Sequence, residues 1–143
     1  FDPPRHPRKM DTYEYMVKKF IPAVRKCFKA GGFESTLDED FKSGAATGGV
    51  FLVGYRGQLF KIQDDYQVGI SNNNFDAVGC GYYLALGALY ALSFVNAIVE
   101  RQSMQRVVMT PHERLTRALT AASTYSAGVR PPFNFVSTAD DSR

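Results

Sequence analysis

Between residues 11 and 30 the apolar positions recur at steps of three and four. Tyr13, Val17, Phe20, Ile21, Val24 and Phe28 fall on one stripe, with Lys18, Lys19, Arg25, Lys26 and Lys29 mostly off it. That period predicts an amphipathic helix with one face in a core. Asp11 followed three residues later by Glu14 predicts a capping box at its start, Pro22 a kink or split, and Gly31-Gly32 the stop. Residues 34–49, rich in Gly, Ser, Thr and acidic side chains, read as a loop.

From Val50 the pattern shortens. Val50-Phe51-Leu52-Val53 is continuously apolar, as in a strand covered on both faces, and Tyr55-Arg56-Gly57-Gln58 turns it into Leu59-Phe60-Lys61-Ile62. Asp64-Asp65 leads to an alternating strand at 66–70, and Asn72-Asn73-Asn74 to a fourth at 75–78. Four short strands in such close succession can pair only antiparallel, because parallel neighbours need longer crossovers.

Tyr82 to Val99 carries no charge over 18 residues, the lower limit for a membrane span. Gly87, Ser93 and Asn96 interrupt it and no strong basic flank orients it, so it reads as a buried helix of a middle layer. Thr110-Pro111-His112-Glu113 opens a further helix with a capping box and Pro at its first position. Leu115, Ala118, Leu119, Ala122 and Tyr125 or Ser126 form its inner stripe, and Ala127-Gly128 ends it. Pro131-Pro132 precedes a last strand at 133–136 and an acidic tail. The organisation expected is a proline-rich basic arm at 1–10, one α+β domain over 11–137 and a frayed tail at 138–143.

Composition narrows the chemistry. With 45% hydrophobic and 22% charged residues, the chain is neither disordered nor collagen-like. A formal charge of +3, spread along the sequence, is a weak basis for nucleic-acid binding, and Arg5-His6-Pro7-Arg8-Lys9 reads as a solvated arm. Cys27 and Cys80, far apart in apolar contexts, read as buried reduced thiols, which points to a cytoplasmic setting. His6 and His112 are isolated, so zinc is not expected. Phe1-Asp2-Pro3-Pro4 has no signal-peptide character, and an opening on Phe and a proline-rich arm suggests a processed or partial chain. Gly79 and Gly81 make a lone GxG without the third glycine and acidic partner of a dinucleotide site. Residue pattern alone leaves the function open.

Phe75-Asp76-Ala77-Val78-Gly79-Cys80-Gly81-Tyr82-Tyr83-Leu84-Ala85-Leu86-Gly87-Ala88-Leu89 resembles the proteasome β-subunit and HslV peptidase family, in which a strand ends in a Gly-Ser-Gly turn before a helix of small residues. Leu52 to Ile62 is similar to the family's strand, turn and strand. Leu119 to Gly128, with Ser126-Ala127-Gly128, is similar to its helix end. The resemblance covers about residues 11–137. It implies an αββα four-layer sandwich of the N-terminal-nucleophile (Ntn) hydrolase type with antiparallel sheets, here incomplete at the N-terminal side.

Such proteins, in bacterial and phage versions among others, form homo-oligomeric rings that degrade peptide or unfolded protein, often with an ATP-driven unfoldase. They act without nucleic acid or membrane. Their nucleophile is an N-terminal Thr whose α-amine serves as base. Phe1 has no hydroxyl, so the resemblance implies a nucleophile and its lysine upstream of Phe1; the alternative is a non-catalytic scaffold of the same fold, and a small binding module that copies the turn and helix by chance is a third class. Carried over residue by residue are a supporting shell of Gly79, Cys80 in place of the turn serine, Gly81, Ser123 and Ser126. Ser123 stands where proteasomes have Asp and HslV has Cys, which favours the HslV-like branch. The resemblance requires no cofactor, but it implies a structural sodium ion on the main-chain carbonyls of Thr120, Ser123 and Ser126.

Overall fold

The computed structural model describes residues 1–33, 49–101 and 109–137, the side chains of 99–101 excepted. The loop expected at 34–49, save for Gly49, and the tail at 138–143 lie outside the described residues. The chain is an α+β protein that divides into two compact units, Phe1–Asp76 and Ala77–Arg143.

The first unit lays a helical segment on one face of a three-stranded antiparallel sheet. The segment runs through α1 (Thr12–Tyr15), a π-helical turn (Met16–Phe20) and α2 (Ile21–Ala30). Asp11 caps it, its carboxylate accepting from the amides of Tyr13 and Glu14 at 3.0 and 3.2 Å. The expected capping box is incomplete, because the Glu14 carboxylate pairs with Lys18 Nζ at 2.7 Å instead.

Pro22 has no amide proton and its ring crowds the preceding turn, and the helix meets it with one extra residue rather than a break. The amide of Ile21 donates to the carbonyl of Met16, five residues back. The wide turn shifts the phase of the inner stripe. Tyr15, Met16, Ile21 and Val24 are buried, whereas Tyr13 and Val17, placed on the core face by the sequence pattern, are exposed. At the far end Gly32, at φ +71°, takes the left-handed position. The amides of Phe33 and Gly32 return to the carbonyls of Phe28 and Lys29, closing a Schellman motif in which Phe33 packs on Phe28.

Strands β1 (Phe51–Tyr55) and β2 (Gln58–Ile62) form the expected hairpin across a two-residue turn at Arg56 and Gly57, both at positive φ, and β3 (Val68–Ile70) pairs with the other edge of β2. Alternation sends Phe60 and Ile62 of β2 to the helix side, where both are fully buried beside Met16, with Phe51, Val53 and Tyr55 of β1 on the same face. No strand forms at 75–78. Lys61 of β2 reaches Asp76 at 3.1 Å, both side chains largely buried, which ties Asp76 to the sheet. The arm is not simply solvated. The His6 ring stacks on Tyr15 and Tyr55, its Nε2 donating to Met10 O at 2.8 Å, while Tyr15 Oη donates to Pro4 O at 2.6 Å. Arg5, Arg8 and Lys9 remain exposed. Burial pushes the Tyr15 hydroxyl above its ordinary pKa; neighbouring Tyr55 adds to this and Arg56 opposes it.

The second unit is a helical hairpin of α3 (Tyr82–Arg101) and α4 (Pro111–Tyr125). Thr110 caps α4 with the full capping box and Pro111 at its first position. The inner stripe is narrower than expected, with Ala118 and Ala122 buried but Leu115 and Tyr125 exposed. Small residues let the helices approach, and α3 buries Ala85, Leu89 and Asn96. Asn96, which is buried, grips the backbone ahead of α4: Nδ2 donates to Met109 O at 3.1 Å and Oδ1 accepts from Met109 N at 3.2 Å. Residues 133–136 form no strand. Phe135 lies beside the start of α4, its ring centroid 4.2 Å from that of His112, so neither histidine stands alone.

Candidate functional site

In the second unit, two stretches that the sequence separates by more than forty residues come together. Gly81, at φ +76°, directs the chain into α3, and its carbonyl accepts from the amides of Leu84 and Ala85 at 3.0 and 3.1 Å. A Cβ on Gly81 would lie 3.0 Å from Val129 Cγ2, 3.1 Å from Ser126 Cβ and 3.3 Å from Ala122 Cβ. Both the backbone conformation and the close approach of α4 therefore call for glycine.

The neighbouring contact is reciprocal. A Cβ on Gly128 would fall 2.6 Å from Cys80 Cβ and 2.9 Å from its Sγ, so the side chain at 80 rests on the backbone just past α4. Cys80 is nonetheless exposed on its other side, and Cys27 is half-buried. The expectation of two buried thiols fails at Cys80 because the turn carries its side chain outward over Gly128 rather than into a core.

Of the supporting shell, Gly81, Cys80 and the Ser126-to-Gly128 segment are thus brought together. Gly79, at φ +86°, has open space where its Cβ would stand, and its role is confined to the turn. Ser123 is half-buried, its hydroxyl donating to Thr120 O at 2.9 Å.

The carbonyls assigned by resemblance to a sodium ion do not fit one in this arrangement. Thr120 O already accepts the hydroxyls of Ser123 and Thr124, each at 2.9 Å. Those of Ser123 and Ser126 accept from Arg130 Nη1 at 3.2 and 3.1 Å, and Val129 O does so at 2.9 Å. Arg130, which the sequence reading did not single out, is the side chain that meets these carbonyls. The signal was there in form, a lone arginine four residues beyond the helix C-cap, but convergence of carbonyls is a property of the backbone and leaves no pattern of residue types.

No protein-family model, curated protein or solved structure matches the chain. Among the described residues no group of His, Cys, Asp and Glu is arranged to hold a metal, and no helix is long and apolar enough to cross a membrane.

Proposed function

We propose that residues 11–137 are the later part of a proteasome/HslV-like, threonine-type peptidase subunit, with its nucleophile supplied by residues outside this chain. The observation that carries the reading is the seat of the Gly79-Cys80-Gly81 turn against Ser126-Ala127-Gly128. These are two of the three stretches that carry the resemblance, and both the positive φ and the close approach of α4 favour glycine at 81. Supporting it is the order of elements: a helix, an antiparallel hairpin, the turn, then two helices. In this reading the units belong to an αββα sandwich whose remaining strands come from the absent segment, and the chain works in a homo-oligomeric ring on unfolded polypeptide delivered by an ATP-dependent unfoldase.

A need for covering layers is also in keeping with α3, which is apolar on both faces. Its side away from α4 exposes Tyr83, Tyr90, Phe94 and Ile98, an apolar surface of the kind that marks interaction sites. The role of residues 79–81 and 126–128 is positional: they form a rigid corner beside which a nucleophile from the absent segment is held, and they take no part in proton transfer themselves.

The test uses the parent protein from its full reading frame. Ring-sized particles in sedimentation, hydrolysis of fluorogenic peptides, and mass-spectrometric mapping of an epoxyketone probe to an N-terminal Thr, Ser or Cys are the expected results. Rings that neither hydrolyse nor label would establish the scaffold alternative, and a dilution-resistant monomer would remove the family reading. The 143-residue chain by itself is expected to be inactive towards the same peptides.

A further inference from the structure

The side of α3 turned away from α4 is uncharged from end to end. Tyr83, Leu84, Tyr90, Phe94, Val95 and Ile98 are exposed there over about 22 Å of helix, and residues 82–98 include no charged side chain. Tyr83, Tyr90 and Phe94 are 76, 64 and 62% exposed. At roughly 150–250 Å² for a whole aromatic side chain, these rings and the aliphatics beside them offer on the order of 500 Å². Two such faces brought together bury on the order of 1,000 Å², the size at which a specific interface is distinguished from a chance contact.

Gly87 lies within this face. It is exposed and helical, and a Cβ there would meet nothing within 4 Å. Glycine inside a helix is destabilising relative to alanine, and no described neighbour calls for it. A helix packed closely against it from outside would. The face is also complementary to itself. Reversed about the point between Tyr90 and Ala91, the sequence sets Phe94 opposite Gly87, Tyr90 opposite Ala91, Leu84 opposite Ala97 and Tyr83 opposite Ile98. The first three pairs match bulk to a gap, since Gly87, Ala91 and Ala97 are all exposed. A parallel pairing would set Phe94 against Phe94 and glycine against glycine.

We propose that this face of α3 is a two-fold interface between two copies of the chain, the helices antiparallel, with Phe94 of each seated on the partner's Gly87. Antiparallel helices also bring opposite dipole ends together. A ring is assembled from head-to-tail contacts, whereas this contact closes on a pair. It is therefore separate from any ring contact and holds whether or not the peptidase reading does.

The experiment is sedimentation equilibrium of the 143-residue chain over a dilution series, with circular dichroism melts alongside. A monomer–dimer equilibrium is expected. Gly87→Gln fills the gap with a better helix former, and Tyr90→Lys sets two like charges beside the axis; each is expected to raise the dimer Kd by about thirtyfold or more, the loss of one central anchor. Helix content of the dilute Gly87→Gln monomer should be no lower than that of the native monomer, which separates lost pairing from lost folding. In a Cys27→Ser, Cys80→Ser background, Ala91→Cys is expected to give a disulfide-linked dimer under mild oxidation. Tyr83→Cys is not, because the antiparallel pair holds its two copies about 22 Å apart.

Three results would overturn the proposal. The chain could stay monomeric at every concentration, leaving the face bare or to a layer from outside these residues. The dimer could survive both Gly87→Gln and Tyr90→Lys, placing the contact on another surface. Tyr83→Cys could cross-link as readily as Ala91→Cys, making the pair parallel.

Discussion

Replacing Gly81 and Gly79 by alanine separates two costs that usually come together. Both residues sit at positive φ, so each alanine adds the left-handed penalty of about 1–2 kcal/mol, partly offset by about 0.4–1 kcal/mol from the stiffer unfolded chain. These terms cancel when the two variants are compared. What remains is packing. The new Cβ at 79 meets nothing within 4 Å, whereas at 81 it presses on Val129 Cγ2 at 3.0 Å, Ser126 Cβ at 3.1 Å and Ala122 Cβ at 3.3 Å.

Val129 can yield by rotating, but the Cβ atoms of Ala122 and Ser126 are fixed to the backbone at the end of α4 and move only if the helix does. Overpacking of this kind costs about 1–3 kcal/mol, so Gly81→Ala should be less stable than Gly79→Ala by that amount, roughly five- to hundredfold in the folding equilibrium. The chain has no Trp, so urea unfolding is followed by far-UV circular dichroism, with hydrogen exchange on 82–98 and 111–125 assigning the loss to the helical hairpin. Costs equal to within about 0.5 kcal/mol would refute the seating of the turn on α4.

Asn96→Ala strands both the amide and the carbonyl of Met109 and should cost about 1–3 kcal/mol in denaturant melts, whereas Asn96→Asp, which sets an acceptor against Met109 O, should cost more; no loss in either variant would mean that water serves Met109 as well. The backbone amide and hydroxyl of Thr110 hold the Glu113 carboxyl below its ordinary pKa. Because the folded pKa is depressed, this cap contributes stability above the ordinary Glu range and loses it as pH falls through the folded value. The native chain's advantage over Glu113→Gln should therefore be present at neutral pH and vanish in acid, and a gap independent of pH would contradict the assignment. Breaking the largely buried Lys61–Asp76 pair from one side, as Lys61→Met or Asp76→Asn, should cost about 1–3 kcal/mol, and the double variant should recover part of it. Strict additivity in that cycle would show the pair to be uncoupled.

Elements set by local pattern were legible in the sequence, and those set by distant partners were not. The hairpin at 51–62, the Schellman stop at Gly32 and the cap at Thr110 each depend on a few adjacent residues, and each forms as read. A strand needs a neighbour, and the alternation at 133–136 is only an invitation to pair that no described strand takes up. At 75–78 the expected fourth strand does not form, and the side-chain tether from Lys61 to Asp76 was not read. Asn96, taken from sequence as an interruption of an apolar helix, holds the backbone at Met109 just ahead of the Thr110 cap, a role invisible until Met109 is seen beside it. Of the candidate site, the glycine at 81 could be read because its demand is intrinsic, while the pairing of Cys80 with Gly128 and the reach of Arg130 depend on how α3 and α4 meet.

The wide turn at Met16–Phe20 gives the first helix an unusual tolerance rule. In an ordinary helix, deleting one residue swings everything before it by about 100° relative to everything after it, and the core face is lost. Here the extra residue is already accommodated, so a single deletion within 17–20 would allow a regular helix to form up to Pro22. Both ends would keep their registration, because Met16 and Ile21, five apart across the wide turn, would become an ordinary four-residue pair on the same face: Tyr15 with the stacked His6, and Ile21 and Val24 beside Phe60 and Ile62, would hold their places. The turn before Pro22 is thus a point at which one codon can be lost without turning either end of the helix away from the sheet.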